Sequence, residues 1–295
     1  MSRPSVLVVG CGFLGLPLAR RLHAAGCDVL GLTHSEATAA GLSGELFPVR
    51  ACDVSNADSV GEIAKSRTGK FDVVVHCASS GKGGPEAYQR VYLEGCAHLL
   101  EQLAPRQIIF TSSTSVYAQV GGEPVTEESL AEPAAETGRL LRETEELVLA
   151  HGGTALRLAA LYGPGRSVLL RKFFSGEAVI EGDGARWINQ IHRDDAVEAC
   201  VQVIERGATG IYNVSDDRPL QQAAVYEFLA RHFERPLPPA GEVNLNKKRG
   251  FSNKRVANEK LRALGWRPKY ATFFEAVESD PGIAAAARAE AAHSS

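Results

Sequence analysis

Through the first half of the chain, short runs of consecutive apolar residues alternate with stretches in which apolar residues return every three or four positions. SVLVVG, DVLGLT, ELFPVRACDV, FDVVVHCAS, QIIFTSS and TALRLAALYG are the apolar runs. Between them, Leu14, Leu18 and Leu22 predict a helix from about Phe13 to Ala25, and Val91, Leu99, Leu100 and Leu103 predict one from about Tyr88 to Ala104. The stretch PAAETGRLLRETEELVL, Pro133–Leu149, reads as a third helix. Leu140, Leu141, Thr144, Leu147 and Val148 share its inward face, and Glu143, Glu145 and Glu146 lie mostly off it. Strands that are apolar throughout are buried on both faces. Alternation of this kind predicts an α/β fold, a doubly wound parallel sheet covered by helices on both sides.

After Gly165 the rhythm changes. AVIEGDG and WINQIH are short and broken by turn residues. Asp194 reads as the N-cap of a helix whose core face carries Val197, Cys200, Val201 and Ile204. GIYNVS returns to the sheet, a helix follows from about Gln221 to Phe233, and RVANEKLRALG is a short helix ending at Gly265. The Ala-rich tail carries no pattern. The expected division is a nucleotide-binding domain over 1–165 and a smaller, mainly substrate-binding lobe over 166–295, with 191–215 returning to the first domain's sheet.

Composition narrows the partners. The 295 residues carry a formal net charge of −3 with no basic run, which disfavours nucleic acid, and no apolar run approaches ~18 residues, which disfavours a membrane span. The six cysteines are scattered without a C-x-x-C, so a reducing cytoplasm is expected and neither disulfides nor a metal site are. A homodimer is compatible with all of this.

The strongest local signal is Gly10-Cys11-Gly12-Phe13-Leu14-Gly15, a G-x-G-x-x-G run that follows a strand and opens a helix. In that context Gly10 permits the tight turn, Gly12 lets backbone approach a pyrophosphate, and Gly15 allows close helix–strand packing. The helix N-terminus then stabilises the anion. The second strand ends Leu32-Thr33-His34-Ser35, without the acid that would take the ribose hydroxyls of NAD; Glu36 comes one step late. The His34 imidazole and Ser35 hydroxyl accept a 2′-phosphate that a carboxylate would repel, so NADP is expected over NAD. Asp53-Val54, at the end of the third strand, is placed to contact the adenine, with a loop-capping role for Asp53 equally open.

Taken together these stretches resemble the extended or atypical short-chain dehydrogenase/reductases, the NAD-dependent epimerase/dehydratases and, among them, the YeeZ-like proteins. The resemblance runs to about Tyr270 and implies a Rossmann-type sheet with a small C-terminal substrate lobe. GCGFLG is similar to the nucleotide loop. HCASS resembles the loop beneath the cofactor, which implies cofactor contacts for Cys77, Ala78 and Ser79. TSSTSVYA resembles the serine strand, with Ala118 where Gly is usual; it implies cofactor contacts for Thr111 and Ser112 and a catalytic serine at Ser113. LRLAALYGPG resembles the segment near the nicotinamide, which brings in Tyr162. IHRDDAVEA and GIYNVSDDRP are similar to C-terminal landmarks.

Three positions depart from the pattern. The expected Tyr-x-x-x-Lys falls on Thr137 and Leu141, and the usual Asn before x-x-Gly falls on Tyr92. An alcohol is too weak an acid to replace the phenol, and leucine can neither bind ribose nor lower a pKa. Tyr92 and Tyr117 are the candidates for the lost acid/base, each with core packing as the plain alternative. Tyr162, before Gly163-Pro164-Gly165, reads as structuring that loop, with a direct role as the alternative. His192 with Asp194 and Asp195 looks like a metal cluster, but helix capping explains it better. Lys82 in SSGKGG reads as a phosphate contact or an exposed lysine, and Arg157 as a buried group satisfying loop carbonyls. The function expected is an NAD(P)-binding oxidoreductase or epimerase on a small polar or sugar-like substrate; the alternative is a non-catalytic NAD(P)-binding sensor or structural protein.

Overall fold

The computed structural model describes residues 3–66, 68–81, 83–244 and 251–293. Its main sheet contains β1 (Ser5–Val9), β2 (Asp28–Thr33), β3 (Val49–Ala51), β4 (Val73–His76), β5 (Gln107–Ser113), and the strands Thr154–Leu158 and Gly210–Val214. Their order is Gly210–Val214, Thr154–Leu158, β5, β4, β1, β2, β3. β1 runs parallel to both β2 and β4, so the winding reverses direction on either side of β1. Ligands of doubly wound sheets bind outside the carboxyl ends of the strands at such a reversal. All five residues of β1 and all four of β4 are buried, as unbroken apolar runs require.

Helices α1 (Gly15–Ala24), α2 (Glu36–Gly41), α3 (Ala57–Lys65), α4 (Pro85–Tyr88), α5 (Gly95–Leu103) and α6 (Glu136–Ala150) alternate with these strands. α1 starts two residues later than its apolar spacing predicts, because the glycine loop occupies the approach. Ser35 and Asn56 cap α2 and α3 by accepting from the backbone N–H three residues on. The stretch expected as one helix from Tyr88 to Ala104 is α4, a π-helical turn over Gln89–Glu94, and α5.

Helix α6 corrects one expectation. Glu145, placed off the inward face by apolar spacing, is fully buried. It accepts from Ser112 Oγ at 2.6 Å, from Arg157 Nε at 3.0 Å and Nη2 at 2.7 Å, and from Arg142. Arg157 therefore satisfies a carboxylate across the fold, in addition to any loop contact. Burying either charge alone would be prohibitive, and the pair makes both positions tolerable.

The chain forms two compact units, one of Met1–Val116, Ala131–Arg157 and Val197–Tyr212, the other of Tyr117–Leu130, Leu158–Ala196 and Asn213–Ser295. The second has its own core, which includes Tyr162, Leu170, Phe173, Leu229, Phe273 and Ile283. The Ala-rich tail is a helix, Pro281–His293, and its Ile283 and Ala287 enter that core. The helix over Arg193–Arg206 is not capped by Asp194, which lies in its first turn. The Asp194 N–H donates to His192 Nδ1 at 3.2 Å, so the imidazole takes the capping role.

Candidate functional site

β1 pairs Val9 with Leu32 on one side and with His76 on the other, so three strands end at one level. The backbone N–H groups of Gly10 and Cys11 both donate to Leu32 O, at 2.9 and 2.8 Å, and Cys77 N donates to Val9 O at 2.8 Å. Gly10 turns there with φ +90°, and a Cβ on it would lie 2.4 Å from Ala78 Cα. A Cβ on Gly15 would lie 2.1 Å from Gly10 O. Gly12 differs: a Cβ on it would meet no protein atom within 4 Å. Two of the glycines are thus required by the fold itself, and the third keeps open a space that the protein does not fill. That is the arrangement a pyrophosphate needs, so the chain fits a dinucleotide.

Beside this loop lies a cavity of about 330 Å³. Gly10, His34, Asp53, Val54, Ala78 and Ser79, all expected as cofactor contacts, line it. Val9, Leu32, Cys52 and Val91 add apolar wall, and Ser55, Ser80 and Arg90 add polar groups that sequence reasoning missed. Arg90 stands only two residues before Tyr92, on a π-helical turn that has no apolar signature.

A carboxylate from the loop after β3 stands near the tip of β2. Asp53 Oδ1 lies 3.9 Å from His34 Nδ1. Burial pushes its pKa up, but hydrogen bonds from Ser55, with the His34 and Arg90 charges, hold it below the ordinary carboxylate value. Ser35 is occupied in capping α2 and also lies 2.9 Å, hydroxyl to hydroxyl, from Thr38.

The remaining expected residues fall into two groups. Cys77 is half-buried at the glycine loop, as is Phe13, and Leu14 is buried. Thr111 Oγ1 donates to His76 O at 2.9 Å and Ser112 Oγ to Glu145, so both hydroxyls are directed into the protein. Ser113 Oγ accepts from Ser115 N at 3.2 Å, a bond that leaves its own proton for another acceptor. Thr137 and Leu141 are both buried on α6. Tyr162 lies in the core of the second unit, its ring against His192 and Phe273, and its hydroxyl, among the described residues, has no partner. Lys82 lies outside the described residues.

The two candidate tyrosines differ in what their phenols do. Tyr117 OH donates to Asn213 Oδ1 at 2.8 Å and is fully buried in the second unit. Tyr92 OH accepts from Ser80 N at 3.1 Å, and its ring packs against His76, Tyr88 and Phe110. Its phenolic proton is not used in that bond. Beneath it His76, fully buried, is pushed down to about 4 by desolvation, with only partial compensation from the Val91 carbonyl at 2.9 Å. Among the described residues no group of three or more His, Cys, Asp or Glu could hold a metal ion, and no helix is long and apolar enough to cross a membrane.

A model of the NAD dependent epimerase/dehydratase family matches residues 6–215. The chain is 32% identical over 281 residues to the Escherichia coli protein YeeZ, over 90% of this chain and 96% of that one. It is 30% identical over 302 residues to a Streptomyces protein named 3-diazoavenalumate denitrifying reductase, again over 90% of this chain and 96% of the relative. A solved Methylobacillus flagellatus structure, described as a candidate NAD-dependent epimerase/dehydratase, is 29% identical with a TM-score of 0.78, over 97% of this chain and 100% of its own.

Proposed function

Because the chain belongs to the NAD dependent epimerase/dehydratase family, we propose that it binds NADP in preference to NAD and acts as an oxidoreductase or epimerase on a small polar or sugar-like substrate. The observation that carries this reading is the open space at Gly12 beside a cavity lined by Gly10, His34 and Asp53. Gly10–Gly15, with Cys77, Ala78 and Ser79, would hold the pyrophosphate and its neighbouring sugars, and Asp53-Val54 the adenine. The nicotinamide end of a dinucleotide held by this loop would supply hydride exchange with a carbinol carbon. The preference for NADP rests on His34 and Ser35 at the tip of β2; Asp53 opposes it, which makes the ratio of the two affinities informative.

Ser113 would orient the substrate oxygen, since its hydroxyl proton is left over from the bond to Ser115 N. Tyr92 is proposed as the proton donor in place of the missing tyrosine, because its phenol accepts from Ser80 and keeps its proton, whereas the Tyr117 proton already goes to Asn213. Thr137 and Leu141 act as an uncharged wall. The second unit, with most of 166–295, is assigned the choice of substrate. Six free thiols suit a reducing, cytoplasmic setting. The Streptomyces relative's name makes reduction the first direction to assay.

A second reading is favoured by Thr137 and Leu141 themselves: a protein that kept the cradle and lost the chemistry, binding NAD(P) as a sensor or structural element. A panel of small aldehydes and ketones, followed by loss of reduced-nicotinamide absorbance, and of nucleotide sugars, followed by NMR of the recovered sugar because an epimerase returns its hydride, separates the two. Turnover that disappears in Ser113→Ala supports the enzyme; dinucleotide binding with no turnover on any member supports the sensor.

A further inference from the structure

The helical stretch before α5 is bent to serve the cavity. The π-helical turn over Gln89–Glu94 lies within an otherwise continuous run from Pro85 to Leu103. Such turns are rare and cluster at functional sites. Here its surroundings explain it. His76 Nε2 is bonded to the Val91 carbonyl, and a Cβ on Gly95 would lie 3.1 Å from Val54 Cγ2 and 3.4 Å from His76 Nε2. The helix is pressed onto the strand ends at that level, and Ala87, Arg90 and Val91 all reach the cavity wall.

Arg90 is tethered at one end of that wall. Its Nη2 donates to Ser55 Oγ at 3.1 Å. Ser55 Oγ donates in turn to Asp53 Oδ1 at 2.7 Å, and Ser55 N donates to the same oxygen at 3.0 Å. The relay ties the guanidinium to the loop after β3, where the same Asp53 oxygen lies 3.9 Å from His34 Nδ1. Both hydrogen bonds to the Asp53 carboxylate fall on Oδ1, so Oδ2 is the oxygen left to accept from a ligand. The walls between these groups are Val9, Leu32, Val54 and Val91. This is a slot for a flat ring bearing an exocyclic amino group. A planar guanidinium at its mouth is suited to cover the ring's face.

We propose that Arg90 clamps the adenine of the dinucleotide, through the face of the base and independently of the 2′-phosphate. The inference rests on the reading that a dinucleotide occupies this cavity. A 2′-phosphate contact is the less favoured role, because the Asp53 carboxylate already balances the Arg90 charge and would repel a phosphate drawn between them.

The test is calorimetric titration of NADPH, NADH and AMP into wild type, Arg90→Ala and Arg90→Lys. Arg90→Ala is expected to weaken all three by the same factor, roughly 3- to 30-fold for loss of a cation–π contact. Arg90→Lys is expected to lose most of that factor, since it keeps the charge but not the plane. Arg90 is exposed, so all variants are expected to melt as wild type. Unchanged affinities in Arg90→Ala overturn the clamp. So does a loss confined to NADPH, which would assign Arg90 to the 2′-phosphate. Wild-type protein that binds none of the three overturns the dinucleotide reading itself, a different result from undiminished binding in the variant.

Discussion

Replacing Glu145 with alanine removes the one carboxylate to which Ser112, Arg142 and Arg157 all donate. Arg157 is 1% exposed and would keep its charge with its Glu145 bonds gone. Breaking a buried pair from one side costs about 3–5 kcal/mol, because the remaining charge stays desolvated. The Ser112 hydroxyl loses its acceptor at the same time, at a cost that overlaps this figure. Urea unfolding of the ligand-free protein, followed by far-UV circular dichroism, reads the change. Glu145→Ala is expected to lose about 3–5 kcal/mol. Glu145→Leu combined with Arg157→Leu is expected to recover at least half of that, since an apolar pair of adequate volume replaces a buried ion pair at little cost. A loss below about 1 kcal/mol in Glu145→Ala, or a double variant no more stable than Glu145→Ala, would refute the reasoning.

Ser35→Asp keeps a good N-cap for α2 and adds a carboxylate beside the ribose, so NADPH affinity should fall while NADH affinity holds or rises; a titration with both shows it. Thr137→Ala should change dinucleotide affinity by less than about 1 kcal/mol and leave turnover intact, whereas Tyr92→Phe should lower turnover roughly 10²–10⁴-fold, and the reverse pattern returns the chemistry to α6. His76 is pushed down to about 4 from 6.5 by burial, so between those values the unfolded imidazole takes a proton that the folded one refuses. Stability should therefore fall as pH falls through that window, by of order 3 kcal/mol, and His76→Asn should flatten the slope in urea titrations across pH. Asp195, pushed up to about 6 by burial, works in the opposite sense between about pH 4 and 6, so the His76 contribution is the difference between variant and wild type.

The parts of the fold legible in the sequence are those in which one residue type fills one environment. The apolar runs at Ser5–Val9 and Val73–His76 could only be doubly buried strands, and the glycine loop between β1 and α1 has one common use. What escaped were positions where a polar residue is buried by a partner far along the chain. Glu145 reads as a surface residue until Arg157 is brought against it, although a lone arginine in an apolar strand was a signal that a carboxylate was needed. Asp194 reads as a cap that His192 provides, because residue preference favours Asp at that place and cannot show which side chain points along the helix axis. Arg90 lines the cavity from a π-helical turn, an element without an apolar signature of its own. The short helices Glu36–Gly41 and Val168–Ser175 have too few turns to show a period.

The central claim is that a dinucleotide lies across Gly12, and one titration tests it most directly. Gly12→Val places a branched side chain in space that no protein atom occupies within 4 Å of the new Cβ. The variant should melt as wild type does, yet bind neither NADPH nor NADH in a calorimeter where wild type binds both, NADPH the more tightly. A folded Gly12→Val that retains wild-type affinity would contradict the account and place the nucleotide elsewhere.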